Sequence, residues 1–328
     1  MQKHFLSSTS YAVEVCTDIL AWDELVDGSP QGHVFSKSAF LQSLGAPYYC
    51  YVVSSPQGDI LAGAAILLCN SAMARAPFDF APHQGIIFSN SVSSLSNQKR
   101  LTAEHRITKL FIDVLLNTFP NFSMALSPFF NDLRPFLWHN YENQKLPQFE
   151  IRQRYTGHLP LNAFELKNYL GHVRTVRRQE YKKNKAVVVD SRDLHLFLKL
   201  YEKTFDRQGV ALDRQTLSRV ESICTKALDE GYGYLSCAEI DGCAASMAFF
   251  LTDRVCAYYL FAANDPEFRV ANASSKLLID NIVTFANKGF KRFDFVGVNS
   301  PQRGDFKLSF NAELVPYQEV HLLSHDGI

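Results

Sequence analysis

No sign of charge dominates this chain. Lys+Arg and Asp+Glu both number 33 across 328 residues, so no overall field draws it to DNA, RNA or an anionic surface, and any polyanion site must be local. The seven cysteines form no CxxC pair and have no histidine at ligand spacing, which argues against a zinc site and leaves metal chemistry without a candidate. They read as reduced, mostly buried thiols of a cytoplasmic protein. The amino terminus has no apolar core of signal-peptide length. The longest apolar runs, near 60–69 and 243–251, fall short of the ~20 residues that a membrane span needs. There is no GxSxG elbow, no Walker loop and no carboxylate pair at glycosidase-like positions.

What is present is an α/β pattern given twice. With 47% hydrophobic and 20% charged residues, the chain is long enough for two cored domains. In the first half, 19–26 and a segment beginning at Ser36 or Ser38 predict helices, and 48–53 and 60–69 predict a hairpin across SSPQGD. A Pro-broken extended stretch covers 75–88; 101–119 carries a helical stripe, 122–126 a strand, 131–141 a helix and 148–159 a strand. In the second half a helix from 161 runs into GHVRTVRRQEYKKNK, and amphipathic helices follow at 194–208 and 216–228. Three antiparallel strands at 232–240, 243–251 and 255–262 turn at Asp241-Gly242 and Asp253-Arg254, and a helix at 274–288 closes at Gly289. The shared order of strands, helix, strand, short helix and strand predicts two related domains, 1–155 and 156–328.

Three places hold candidate site residues. The stretch from 290 to 317 reads as a strand through Phe293 and Phe295, a polar loop with Asn299 and Arg303, and a helix at 305–312 carrying Lys307. Such a strand end followed by a loop suits a substrate pocket. Arg174, Arg177, Arg178 and Lys182, three and four apart, share one face of a helix, where like charges repel unless an anion compensates. His83, in the Pro-flanked PHQG loop, is the first-half histidine most suited to a ligand contact, whereas Phe136 and Trp138 read as core.

DFVGVNSPQRGDFKLSFNAELVPY, from Asp294 to Tyr317, resembles the closing motif of the FemAB-like (BioF2-like) branch of the GNAT acyltransferase superfamily. That family ends in an Asp-Phe-x-Gly strand, a polar loop, Phe-Lys-x-x-Phe-Gly and a final strand. Asn311 stands where the family has Gly; asparagine is the non-glycine residue that best tolerates a left-handed backbone. The segment APFDFAPHQGIIF resembles one that lines the family's inter-domain cleft, and an Arg-Arg-x-x-x-Lys-Lys run also opens its second domain. The resemblance implies two tandem GNAT-like domains, each a mixed, mostly antiparallel sheet flanked by helices.

It also implies a chemistry. GNAT proteins lay the pyrophosphate of coenzyme A on backbone N–H groups at a helix start, here the RVANASS loop with Arg269, Asn272, Ser274 and Ser275. Asn272 replaces the first glycine of the superfamily pattern. Where many members carry a catalytic Tyr this chain has Phe306, and Lys307 beside it is the substitute, with Asp294 and Asn299 completing the catalytic set. Arg174, Arg177, Arg178, Arg303 and His83 are then the substrate-binding set. Three functions fit. The first is acyl transfer from acetyl-CoA or another acyl-CoA to a small amine or sugar-linked acceptor, with oxyanion donors on the strand near Phe261. The second is Fem-type aminoacyl transfer from a charged tRNA to a cell-wall precursor. The third is a non-catalytic module that binds an anionic metabolite.

Overall fold

A computed structural model describes residues 4–5, 11–119, 121–143 and 145–322, with the side chains of 4, 5, 269 and 270 left aside. The chain divides into two compact units. One comprises 1–42, 46–154 and 316–328, the other 43–45 and 155–315. The boundary between the units falls at 154/155, and the carboxyl-terminal 316–322 groups with the first unit.

In the first unit, β1 (His4–Phe5), β2 (Ala12–Val15), β3 (Tyr48–Ser54), β4 (Ile60–Cys69) and β5 (Ala72–Met73) pair in that order, all antiparallel, and β6 (Ile86–Phe88) also pairs with β4. Helices α1 (Ile19–Gly28), α2 (Ser38–Ser43), α3 (Asn90–Ser93) and α4 (Asn97–Thr118) accompany them. The stripe on α4 buries Ile107, Leu110, Phe111, Val114 and Leu115 against Val53, Ala64 and Ile86 of the sheet, as an amphipathic helix must. Strand β7 (Phe122–Ala125) follows, then α5 (Arg134–Leu137), only four residues of the helix expected at 131–141, and β8 (Phe149–Pro160). Trp138 is 55% exposed and so not the core residue expected, whereas Phe136 is buried.

The basic run of the second unit forms two helices, α6 (Leu166–His172) and α7 (Thr175–Lys183). Strand β9 (Val187–Ser191), not expected from the sequence, precedes α8 (Leu194–Asp206) and α9 (Arg214–Asp229), capped by Asp193 and Asp213 through the N–H groups of Leu196 and Thr216. The meander β10 (Gly233–Ile240), β11 (Cys243–Thr252) and β12 (Cys256–Asn264) lies where alternation placed it. Helix α10 (Ala273–Asn287) follows a short 3-10 turn. It stops in a Schellman motif: Gly289 N–H donates to Ala286, Phe290 N–H donates to Phe285, and the two Phe rings meet at 5.6 Å. Strand β13 (Arg292–Asp294) runs parallel to β12 and antiparallel to the end of β8, giving the order β8-β13-β12-β11-β10-β9. Phe250, Phe285, Phe293, Phe295 and Phe310 fill the core beneath.

Helix α11 (Pro301–Leu308) begins four residues before the expected start, with Ser300 ahead of it and Pro301 at its first position. Asn311 is left-handed, φ +62°, as its place in the closing motif implies. The last described element is β14 (Glu313–Leu322), whose Glu319–Leu322 pair antiparallel with β7 in the first unit. All seven cysteines are free. Cys69 in the first unit and Cys243 in the second are exposed, while Cys50, Cys224, Cys237 and Cys256 are buried. Among the described residues no helix is long and apolar enough to cross a membrane.

Candidate active site

Parallel strands β12 and β13 pair at only three positions, ending at Tyr258 opposite Asp294. Beyond this point β12 continues to Asn264, while the other chain leaves through Phe295, Val296 and Gly297. Val296 is left-handed at φ +48°, a conformation that costs a β-branched residue about 1–3 kcal/mol. A bracket holds it there. Asp294, 2% exposed, accepts the Val296 N–H at 2.8 Å and the Thr156 hydroxyl at 2.5 Å on Oδ1, and Nε2 of His158 stands 3.2 Å from Oδ2. Burial raises the Asp294 pKa, but the bonds from His158, Thr156 and Val296 outweigh it and leave the carboxyl below its ordinary value.

Lys307 reaches into the divergence between these strands. Its Nζ donates to the Val296 carbonyl at 2.5 Å and lies 5.2 Å from the Tyr259 ring centre. The side chain is part-exposed while the amine is enclosed, and this desolvation lowers its pKa to about 7, against the raising pull of Asp294 and helped by Arg303. Helix α11 gets close enough because Gly304 lacks a side chain: a Cβ there would stand 2.3 Å from the Val298 carbonyl oxygen.

A cleft of about 770 Å³ opens at the start of α10, within the range of small-molecule sites. Asn272, Ser274, Phe268, Asp265 and Asn264 line it from that side together with Arg177, Arg207 adds positive charge, and Pro301, Gln302, Asp305 and Phe306 close it. Asn272 adopts φ +51° as the residue preceding α10, so the glycine-like backbone survives the asparagine side chain. Asn184 at the end of α7 ties the loop by donating to the Ala271 carbonyl.

The arginines do not share one helical face. The helix breaks at Val173, 3% exposed, and the Arg174 N–H bonds the Ser309 carbonyl instead of continuing it. Arg174 forms a two-bond ion pair with Asp305, both bonds at 2.8 Å. Arg177 turns inward: Glu180 at 2.6 Å, Ser309 at 3.1 Å, Ser275 at 3.4 Å and the Phe306 ring centre at 4.8 Å. Arg178 bends back to the carbonyls of Leu170 and Gly171. The expected three-arginine anion site is therefore dispersed by protein carboxylates and carbonyls.

Other expected residues also differ in place. The Asn299 side-chain amide clasps the backbone of Tyr155, accepting its N–H at 2.8 Å and donating to its carbonyl at 2.7 Å, so it pins β8 rather than facing a ligand. Ser275 does not cap α10 but donates to Glu180 from full burial; Ser274 faces the cleft. The Arg269 side chain lies outside the described residues. Arg303 is exposed, over the Phe205 ring at 5.3 Å. His83 is buried in the first unit, against His33 at 4.2 Å, Phe35 at 5.5 Å and Tyr317 at 5.7 Å. Sequence reasoning missed Thr156 and His158, although their alternation in RYTGHLPL sets both on one face of a strand. It also missed Tyr259 and Ser309.

Residues 171–308, which contain this geometry, match the Acetyltransf_6 family, an acetyltransferase (GNAT) domain. No curated protein sequence matches the chain. Among solved structures, FemX is similar at TM-score 0.67 and 13% identity, covering 97% of each chain. The carboxyl-terminal domain of a putative lysylphosphatidylglycerol synthetase from Agrobacterium fabrum reaches TM-score 0.56 at 11% identity, covering 94% of this chain and 92% of its own. A tandem GNAT protein from the clavulanic acid biosynthesis pathway reaches 0.51 at 10%, covering 95% and 98%. By fold the chain is thus similar to FemX and to a tandem GNAT protein, and residues 171–308 match a GNAT acetyltransferase domain.

Proposed function

We propose that the second unit transfers an acyl group from a thioester, acetyl-CoA or a longer acyl-CoA, to a small amine or sugar-linked amine. The observation that carries this reading is the Lys307 amine, lowered to about 7 and held where β12 and β13 part, within a domain that matches an acetyltransferase family. In the transfer a C–N bond forms and the C–S bond breaks. The attacking amine loses a proton and the departing thiolate gains one. A lysine that titrates near neutrality can accept the first proton and return it to the sulfur. The donor's diphosphate suits the start of α10, where the first N–H groups of the helix have no intrahelical partner and Arg207 adds positive charge. Asp294 acts as a positioning residue, since its bonds secure the backbone that holds Lys307. Reduced thiols fit a cytoplasmic setting.

The test is a thermal-shift screen with acetyl-CoA, longer acyl-CoAs and an aminoacyl-tRNA, followed by kinetics on the substrate found. A ligand at about 100 times its dissociation constant stabilises by about 2.7 kcal/mol. With a productive donor, Lys307→Met lowers kcat/KM about 10²-fold. A shift with aminoacyl-tRNA alone replaces the thioester donor, and wild-type kinetics in the variant removes Lys307 from the mechanism.

A further inference from the structure

Between 166 and 189 the chain has seven Lys and Arg and one acidic residue, Glu180. Two of these charges are neutralised internally, Arg174 by Asp305 and Arg177 by Glu180. Among the described residues, Lys167, Arg178, Lys182, Lys183 and Lys185 have no carboxylate within ion-pair distance, and all but Arg178 are exposed. In a chain with no net charge, five uncompensated cations thus gather on α6, α7 and the turn that follows α7.

Beside them α6 and α7 enclose a groove of about 550 Å³. Leu166, Leu170 and Gly171 line it together with Lys167, Arg178 and Lys182. The lining includes no aromatic side chain on which a base could stack, as single-stranded nucleic acid readers require. Aliphatic side chains interleaved with lysine and arginine suit the boundary between headgroups and acyl chains of an anionic bilayer. The groove is separate from the cleft, since their linings share no residue.

We propose that the α6–α7 face docks the protein reversibly on an anionic phospholipid surface. Leu166 and Leu170 meet the acyl boundary while Lys167, Lys182, Lys183 and Lys185 meet the phosphates. Binding of this kind depends on lipid charge and weakens as salt screens it.

The test is co-sedimentation of the full chain with phosphatidylcholine vesicles, with and without phosphatidylglycerol, over a salt series and with bulk tRNA as competitor. The expected result is binding to the phosphatidylglycerol vesicles alone, weakened at least tenfold by Lys182→Glu/Lys183→Glu. The double variant Lys99→Glu/Arg106→Glu, on α4 of the first unit, keeps wild-type binding. Leu170→Gln reduces the binding that survives high salt. Circular dichroism checks folding; if the first double variant is misfolded, Lys167→Gln/Lys185→Gln replaces it with the same expected loss. No charge-dependent vesicle binding, equal loss from the α4 variant, or tight tRNA binding without vesicle binding would each overturn the proposal.

Discussion

The carbonyl of Val296 accepts a hydrogen bond from Nζ of Lys307, and it does so from a left-handed backbone that valine adopts only under constraint. Asp294 supplies that constraint through the Val296 N–H, and Thr156 and His158 hold Asp294 in turn. A buried carboxylate, a strained turn and a lysine amine are thus linked in series.

The first consequence is a pH dependence of stability. The folded Lys307 releases its proton near pH 7, whereas the unfolded residue holds it to about 10.4. Between these values the unfolded state binds the extra proton, so this residue makes stability rise with pH across the window and fall back toward pH 7. One proton contributes at most about 1.4 kcal/mol per pH unit. Denaturant unfolding at pH 7, 8 and 9 should show this slope in the wild-type chain and its loss in Lys307→Met.

Asp294→Asn leaves its three hydrogen-bonding partners facing a neutral amide in a buried place. A loss of about 2–4 kcal/mol is expected by denaturant unfolding. Because the Asp294 charge raises the Lys307 pKa, its removal should also move the Lys307-dependent midpoint of a pH–rate profile to lower pH. An unmoved midpoint in a folded variant would detach Asp294 from Lys307. The Asp294 carboxylate has a lowered folded pKa, so its own stabilisation is present above the ordinary Asp value and disappears as pH falls through the folded one.

Gly304→Ala would ordinarily favour a helix. Here the new methyl meets the Val298 carbonyl, and α11 must shift. We expect a net loss of about 1–3 kcal/mol, measured as a lower denaturation midpoint, instead of the gain of about 1 kcal/mol that alanine brings to an open helix.

Arg177→Met strands Glu180, which is 13% exposed at its side chain. The expected cost is about 2–3 kcal/mol, and adding Glu180→Met should recover most of it, a coupling that a double-mutant cycle measures directly. Independent, additive effects would show that the pair does not matter to the fold. Arg177→Glu, which an exposed stripe would tolerate, should instead disrupt this corner by setting two carboxylates together.

Periodicity revealed what neighbouring residues determine. The hairpin at 48–69, the meander at 233–264 and α10 formed near their expected limits, because alternation, Asp-Gly turns and a glycine stop act over a few residues. The break at Val173 was hidden because Ser309, 135 positions from Arg174, takes the N–H that would continue the helix. Lys307 was legible as a residue, and its expected direction toward the Asp294 strand agrees with its bond to Val296. The left-handed valine was not legible, since nothing in its type favours that backbone. Asn299 was read as a ligand group from its loop after a strand end and Arg174 from like charges at helical spacing, but Tyr155 and Asp305 engage them from distant parts of the chain. The early start of α11 had a local sign, the Ser300-Pro301 pair, outweighed by the apolar spacing that followed.

The placement of the free thiols has a practical consequence. Cys69 and Cys243 are exposed, one in each unit, while burial pushes the thiols of Cys224 and Cys256 up and that of Cys237 to about 11. Thiolate, not thiol, reacts with a maleimide, so a short exposure at neutral pH favours the two outer positions. With the partly exposed Cys16 changed to serine, a donor and an acceptor dye can be attached without introducing a new residue for labelling. Energy transfer between them would then report, molecule by molecule, whether a bound substrate alters the spacing of the two domains.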